Sequence, residues 1–208
     1  MTKAVIFDID GVLLDSFEAN LVFYQNLMNY FGYRSPTRAE FPNLFHLPMW
    51  DTIQRLTGLS SEEEIGAIWE MGRTREVEYP VNLVKTPHNA TSTIRALSKS
   101  YSLGIVTSRM RETVYEVPKL ARLKKYFMVT VAYDDTENHK PHPDPLLLAA
   151  KKLGATPKET VYIGDVENDA KAARVAGMKV IIYGGNRPDG AHAYTSAFET
   201  LPALIATL

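Results

Sequence analysis

Five short runs of mostly apolar residues recur along the chain, and each is followed by a segment with helical character. The predicted strands cover residues 4–7, 103–106, 129–132, 161–163 and 180–183. Strands that alternate with helices predict a parallel sheet with helices on both of its faces. The runs are nearly all apolar rather than alternating, as expected when both faces are covered. The sequence therefore predicts an α/β fold, in which ligands bind beyond the carboxyl ends of the strands.

The strand-and-helix alternation is interrupted after the first strand. Residues 16–86 contain no strand-like run, and their apolar side chains recur at helical spacing. The spacing is clearest at Leu21, Tyr24, Leu27, Met28 and Phe31, and residues 62–79 form a second candidate helix. We expect the first helix to be capped by the carboxylate of Asp15, with Glu18 three residues later. The predicted organisation is a core of residues 1–15 and 87–208 and a small α-helical cap domain of residues 16–86.

Composition excludes several classes of function. The 208 residues include 23 basic and 24 acidic side chains, so no overall charge favours nucleic acid or an anionic membrane as a partner. The absence of cysteine excludes disulfides, thiolate metal sites and a cysteine nucleophile. The first residues lack the apolar core of a signal peptide, and no stretch of eighteen apolar residues occurs. We therefore expect a cytoplasmic protein that is a monomer or a homodimer.

Two aspartates follow the first predicted strand. Asp8 and Asp10 are separated by one residue and followed by Gly11. One interpretation is a glycine-supported turn with a capping aspartate. The other is catalytic, because the two carboxylates can converge on one reacting centre as the chain turns, one as nucleophile and the other to move protons.

Polar residues also follow the second and third predicted strands. Thr107 ends the second strand, where its hydroxyl and the first N–H groups of a following helix could hold a phosphate, although an ordinary helix cap is an alternative. Lys140 precedes Pro141 in YDDTENHKPHPDP; it is either a solvated surface lysine or a charge that the prolines fix in one place. His139 and His142 are predicted to be loop residues rather than ligands.

The fourth predicted strand ends in two further acidic residues. Asp165 follows Gly164 directly, and Asp169 follows one helical turn later. Acids at a helix start are favourable for dipole reasons alone, which is the alternative interpretation. However, all these features fall at the carboxyl ends of successive strands. Asp8, Asp10, Asp165 and Asp169 in one pocket would repel one another unless a cation lay among them, and oxygen ligands beside an expected phosphate indicate Mg²⁺.

The ordered motifs resemble a known family. FDIDGVLLDS, Thr107 in IVTSR, Lys140 in KPHPDP and GDVENDAKAARVAG together are similar to the haloacid dehalogenase superfamily of phosphatases, in the phosphoglycolate phosphatase-like branch with a helical cap after the first strand. The resemblance covers essentially the whole chain. It implies a Rossmann-like core and a magnesium-dependent phosphatase that hydrolyses a small phosphorylated metabolite through an aspartyl phosphate.

The resemblance also implies a role for each matching residue. Asp8 would attack the phosphoryl group, and Asp10 would protonate the leaving alcohol and then activate water. Thr107 and Lys140 would bind the phosphoryl oxygens. Magnesium would be held by Asp8, the backbone carbonyl of Asp10 and Asp165, with Asp169 as a ligand or just outside the ligand set.

Three positions depart from the family pattern. Ser108 and Arg109 stand where relatives commonly carry asparagine and lysine, and His46 in LFHLPMW stands where many have glycine. We expect Ser108 and Arg109 to contact the substrate, with Arg109 favouring a second anionic group; Arg109 could alternatively be a surface residue. His46 could either pack or bind substrate.

Other functions share some of these features. A hexose-phosphate mutase and an inorganic pyrophosphatase of the same superfamily would carry the same motifs. A dehalogenase or a phosphonate hydrolase is disfavoured because Asp10 is present. Outside the enzymes, a response-regulator receiver also has a phosphorylated aspartate, a Ser/Thr and a Lys-Pro, but the helical insertion and the final pair of aspartates argue against that phosphoacceptor module.

Overall fold

A single six-stranded sheet organises the protein. The computed structural model describes residues 1–184 and 187–208. The strands are β1 Ala4–Phe7, β2 Ser102–Val106, β3 Val129–Val131, β4 Thr160–Gly164, β5 Lys179–Tyr183 and β6 Ala193–Thr195. They lie in the order β3-β2-β1-β4-β5-β6, and every pair of neighbours is parallel. The predicted α/β fold is confirmed, and all five predicted strands are present; β6 was not predicted.

The central position of β1 explains its composition. All four of its residues are buried, and β2 and β4 flank it on either side. In the register, Phe7 lies level with Ile105 of β2 and Ile163 of β4. The residues that follow these three strands therefore emerge at the same edge of the sheet.

Helices complete the unit that contains the sheet. This unit comprises Met1–Asp15 and Lys85–Leu208. Its helices are α4 Ala90–Leu97, α5 Pro118–Ala121, α6 Asp144–Lys152, α7 Glu167–Val175 and α8 Leu201–Thr207. Small and branched side chains of α6 and α7, such as Leu146, Ala149 and Ala173, pack with Ile6 and Tyr162 of the sheet in one apolar core. This packing fixes the loops that precede α6 and α7.

The second compact unit, Ser16–Val84, is helical. It contains α1 Phe17–Tyr30, α2 Met49–Thr57 and α3 Glu62–Arg73. Helix α3 is shorter than the predicted 62–79, and α2 was not predicted. That this unit acts as a cap over an active site remains a prediction.

The predicted role of Asp15 is wrong. Helix α1 has Ser16 at its N-cap position, and no side chain caps it there. Asp15 instead exchanges two backbone hydrogen bonds of 2.9 Å with Lys85, as an isolated antiparallel bridge. This pairing ties together the two chain segments that lead out of and back into the sheet unit.

No helix formed by residues 1–184 and 187–208 has both the length and the hydrophobicity needed to cross a bilayer.

Candidate active site

Asp8 is held at the end of β1 by backbone and side-chain contacts. Its N–H donates to the carbonyl of Ile163 at 2.9 Å, which continues the sheet for one residue. Oδ1 accepts from the N–H of Ile9 at 2.7 Å, and Oδ2 accepts from Nζ of Lys140 at 2.7 Å. The residue is only 8% exposed. Asp8 is therefore a buried carboxylate with a fixed orientation.

Lys140 lies inside the protein. Its Nζ donates to Asp8, to Oδ1 of Asp169 at 2.7 Å and to the hydroxyl of Tyr162 at 3.1 Å. The side chain is 7% exposed, so the interpretation of Lys140 as a solvated surface lysine is wrong. Three acceptors match the three N–H donors of an ammonium group. The position of the positive charge is thus set by three different elements of the sheet unit.

Asp169 organises the start of α7 as well as Lys140. Its Oδ1 accepts from Lys140 and from the hydroxyl of Tyr162 at 3.0 Å, and its Oδ2 accepts from the N–H groups of Asp165 at 3.0 Å and Val166 at 3.4 Å. The side chain is fully buried. Asp169 therefore connects the loop after β4 to the lysine that contacts Asp8.

Three carboxylates converge beside this lysine. One oxygen each of Asp8, Asp165 and Asp169 lie within 4.8 Å of one another. Three carboxylates and one ammonium leave two negative charges, which a divalent cation would balance. An oxygen-only donor set suits Mg²⁺. The residues present therefore fit a magnesium ion, as expected from the sequence, although the Asp10 side chain is not part of this group.

Gly11 allows Asp165 to approach the first loop. Its φ of +83° is a conformation that L side chains rarely adopt, and a Cβ at this position would lie 1.9 Å from Oδ2 of Asp165. Only glycine leaves this space for the carboxylate. Gly11, which follows the paired aspartates, therefore leaves room for Asp165 at the candidate metal site.

The pKa values reflect this crowding. Burial, opposed by Lys140 and reinforced by Asp169, raises the pKa of Asp8 to about 7. Burial and the nearby carboxylates also raise the pKa of Asp165 well above its ordinary value. Burial acts to raise the pKa of Asp169, but contact with Lys140 outweighs it and the pKa is lowered. Burial likewise acts to lower the pKa of Lys140, yet the carboxylates raise it well above its usual range. A cation among these groups would favour all three carboxylates in their charged form.

Asp10 points toward Arg109. Arg109 donates from Nε to Oδ2 of Asp10 at 2.8 Å and from Nη2 to Oδ1 at 2.7 Å, and from Nη1 to Glu116 at 3.2 Å. Its side chain is 9% exposed, so the interpretation of Arg109 as a surface residue is wrong. That Arg109 binds substrate remains a prediction.

Thr107 and Ser108 lie beside the lysine. Both line a small pocket together with Lys140 and the rings of Tyr133 and His139. Thr107 is 4% exposed. The prediction that a helix begins just beyond Thr107 is wrong, because the next element is a single 3₁₀ turn at Arg111–Thr113. No helix start therefore lies directly beyond Thr107.

The histidines lie in different surroundings. His139 stacks on Tyr133 with ring centroids 3.6 Å apart, and burial lowers its pKa. In the helical unit, the ring of His46 contacts that of Phe45 with centroids 4.7 Å apart. That His139 and His142 are loop residues rather than ligands stays a prediction.

Two residues of this network were missed in the sequence. Tyr162 is fully buried in β4, and its hydroxyl links Lys140 to Asp169. A tyrosine in the middle of a buried strand was the available signal, since a buried hydroxyl needs a partner. Glu116, which contacts Arg109, stands in a loop where the sequence offers no comparable signal.

Comparisons with known proteins identify the family of this chain. The family model described as haloacid dehalogenase-like hydrolase matches residues 5–183. The pyrophosphatase PpaX of Bacillus pumilus is 32% identical over 178 residues, which cover 85% of this chain and 81% of the relative.

Two solved structures extend the comparison. A HAD-superfamily hydrolase of subfamily IA from Geobacter sulfurreducens has a TM-score of 0.75 and 28% identity, with 98% of this chain and 96% of that chain covered. CbbY from Rhodobacter sphaeroides, solved in complex with phosphate, has a TM-score of 0.84 and 22% identity, with 99% and 100% covered. The second likeness concerns the fold alone.

Proposed function

The chain belongs to the haloacid dehalogenase-like hydrolase family, and we propose that it is a magnesium-dependent phosphatase with Asp8 as its nucleophile. The observation that carries this proposal is the contact of Lys140 with Asp8 and Asp169. It leaves a buried carboxylate at a strand end, oriented by one ammonium group and adjacent to two more carboxylates. Buried charge of this kind is costly and is typical of a functional site.

The proposed reaction has two steps. In the first, an oxygen of Asp8 forms a bond to phosphorus, the bond from phosphorus to the leaving oxygen breaks, and Asp10 gives a proton to that oxygen. In the second, Asp10 takes a proton from water, whose oxygen bonds to phosphorus while the bond from phosphorus to Asp8 breaks. Inorganic phosphate and free Asp8 are the products. Neither step changes an oxidation state.

Charge stabilisation is the main task of the remaining residues. Lys140 and the hydroxyl of Thr107 are proposed to bind the phosphoryl oxygens beside Asp8. Asp8, Asp165 and the backbone carbonyl of Asp10 would hold the magnesium ion, which supplies positive charge for the phosphoryl group when bound. Asp169 would lie just outside the ligand set, because each of its oxygens already accepts two hydrogen bonds from the protein.

We propose a small phosphomonoester as the substrate and pyrophosphate as a second candidate. Pyrophosphate is favoured by the similarity to relatives named pyrophosphatase PpaX at about 32% identity. It is also favoured by Arg109, an arginine close to the proposed acid Asp10 and suited to a second phosphate. Both substrates would use the same nucleophile and the same proton donor.

The purified chain would be assayed with p-nitrophenyl phosphate and with pyrophosphate, in Mg²⁺ and in excess chelator. We expect turnover in Mg²⁺ alone, and phosphate attached to Asp8 when the reaction is quenched with acid and the digested protein is analysed by mass spectrometry. Asp134→Asn is the matched control for Asp8→Asn, because Asp134 is an exposed aspartate in the 3₁₀ turn that follows β3. Full turnover in chelator would remove the metal from the mechanism, and turnover by Asp8→Asn would remove the nucleophile.

A further inference from the structure

The carboxylate of Asp10 is held by Arg109. Its two oxygens accept from Nε and Nη2 of Arg109 at 2.8 and 2.7 Å, so one planar guanidinium contacts both. Bidentate pairs of this kind are directional, and their charge-assisted bonds are roughly twice as strong as neutral ones. The pair joins the loop after β1 to the loop after β2, across 99 residues of chain.

Arg109 is itself fixed from other directions. Nη1 donates to Oε1 of Glu116 at 3.2 Å, so the guanidinium lies between two carboxylates. Its backbone N–H donates to the hydroxyl of Thr107 at 3.2 Å, and its carbonyl accepts from the N–H of Tyr133 at 2.9 Å. With a side chain 9% exposed, Arg109 is a buried and oriented charge.

This arrangement conflicts with the proposed task of Asp10. A proton donor must come within about 2.6–3.2 Å of the atom that it protonates. In the observed pair, both oxygens of Asp10 are directed at the guanidinium instead. Arg109 must therefore release an oxygen of Asp10 before that oxygen can reach a leaving group. Release leaves the guanidinium beside Glu116, and an anion in place of Asp10 would restore the second charge contact of this buried group.

Building on the proposed function, we infer that Arg109 is a positioning residue that couples the charge of the substrate to proton transfer. An anionic group on the leaving part of the substrate replaces Asp10 on the guanidinium, so that the released Asp10 carboxylate takes up a proton from water and gives it to the leaving oxygen. The substrate class is a phosphate ester or anhydride whose leaving group carries a second negative charge. A neutral alkyl phosphate does not displace Asp10 from Arg109, and it therefore reacts slowly.

Three substrates distinguish this role of Arg109 from a merely structural role in the site. Phosphoglycolate has an anionic leaving group, ethyl phosphate has a neutral one, and p-nitrophenyl phosphate has one that departs without needing a proton. We expect wild-type kcat/KM for phosphoglycolate to exceed that for ethyl phosphate by about tenfold or more. Arg109→Ala should remove most of this preference and change kcat/KM for p-nitrophenyl phosphate by less than about threefold.

Two further variants complete the test. Arg109→Lys keeps the charge without the planar fork, so we expect an intermediate preference. Arg111→Ala is the matched control, because Arg111 is a nearby and more exposed arginine that pairs with Asp135 rather than Asp10; it should keep the wild-type preference.

The outcomes distinguish the two proposals. Equal losses for all three substrates in the Arg109 variants would overturn the positioning role and leave the phosphatase intact, as would a wild-type enzyme with no preference. If Arg109→Ala does not fold, Arg109→Lys decides by the same ratio. If the wild-type protein hydrolyses none of these substrates or pyrophosphate, the proposed function fails and this inference fails with it.

Discussion

Lys140 donates to Oδ2 of Asp8 at 2.7 Å, across 132 residues of chain. The contact joins the end of β1 to the loop before α6, and the same ammonium reaches Asp169 of α7. One positive charge thus connects the proposed nucleophile with the element that positions the proposed metal ligands.

Replacing Lys140 should destabilise the protein strongly. Lys140→Met leaves Asp8 and Asp169 buried without their common partner, and removing one side of a buried ion pair costs about 3–5 kcal/mol. Lys171→Met is the matched control, because Lys171 forms an exposed pair with Glu167, and such pairs contribute only about 0–1 kcal/mol. Urea unfolding of both variants measures the difference. Equal unfolding midpoints would mean that Lys140 is not a structural charge of the site.

Replacing Asp8 and replacing Asp10 should have different effects on the covalent step. Asp8→Asn should form no phosphoenzyme, whereas Asp10→Asn should form it and lose about 10²- to 10⁴-fold in turnover of alkyl phosphates. Intact-protein mass spectrometry during turnover shows whether one phosphoryl group is attached. Wild-type turnover by Asp8→Asn would disprove its assignment as nucleophile.

It could be predicted from the sequence which residues meet at one edge of the sheet. How the loop side chains pair with one another could not be predicted. Asp8, Thr107 and Asp165 follow buried apolar runs, and parallel strands in register bring such residues to one edge. By contrast, the contact between Arg109 and Asp10 depends on the path of two loops, which no periodicity encodes.

There are physical reasons why β6, α2 and the start of α1 were not predicted correctly. Strand β6 has three partly buried residues and no apolar run, so it lacks the signal that identified the other strands. Helix α2 buries only Thr52 and Ile53, which is too few positions for a helical repeat to be read. Asp15 carries a plausible capping side chain, but its backbone pairs with Lys85 and the helix begins one residue later. Local propensity was overridden there by a contact between distant parts of the chain.

We expect acid to lower the free energy of unfolding, partly through protonation of Glu159. Hydrogen bonding to Lys3 and then to Thr156 lowers the pKa of Glu159 from 4.5 to about 2. The folded state therefore binds this proton more weakly than the unfolded state, so the stabilisation is present above about pH 4.5 and is lost as the pH falls toward about 2. We expect Glu159→Gln to melt below wild type at pH 6, with the gap narrowing by pH 3.

Thermal unfolding followed by circular dichroism at several pH values measures this gap. Lys3→Met removes the same ion pair from the other side and should give the same narrowing. A gap that stays constant from pH 6 to pH 3 would show that Glu159 contributes nothing to acid sensitivity.

Magnesium should be required and calcium should be a poor substitute. Calcium takes more ligands at longer distances, which would misplace a phosphoryl group relative to Asp8. Asp165→Asn should weaken Mg²⁺ binding by about tenfold or more, measured by isothermal titration calorimetry without substrate. Asp134→Asn is the control and should bind as wild type does. Unchanged Mg²⁺ affinity in Asp165→Asn would place the metal elsewhere.

Comparing two glycines separates the effect of the space that Gly11 leaves for Asp165 from the effect of backbone strain. Gly11 and Gly154 have φ of +83° and +70°, so alanine at either should cost about 1–2 kcal/mol in unfolding free energy. A Cβ at Gly154 meets nothing within 4 Å, whereas one at Gly11 would lie 1.9 Å from Asp165 Oδ2. We therefore expect Gly154→Ala to retain Mg²⁺ affinity and turnover. Gly11→Ala should displace the Asp165 carboxylate and lose about tenfold or more in Mg²⁺ affinity. Calorimetric titration of both variants decides, and equal affinities would mean that Gly11 serves the turn alone and that Asp165 does not need its space.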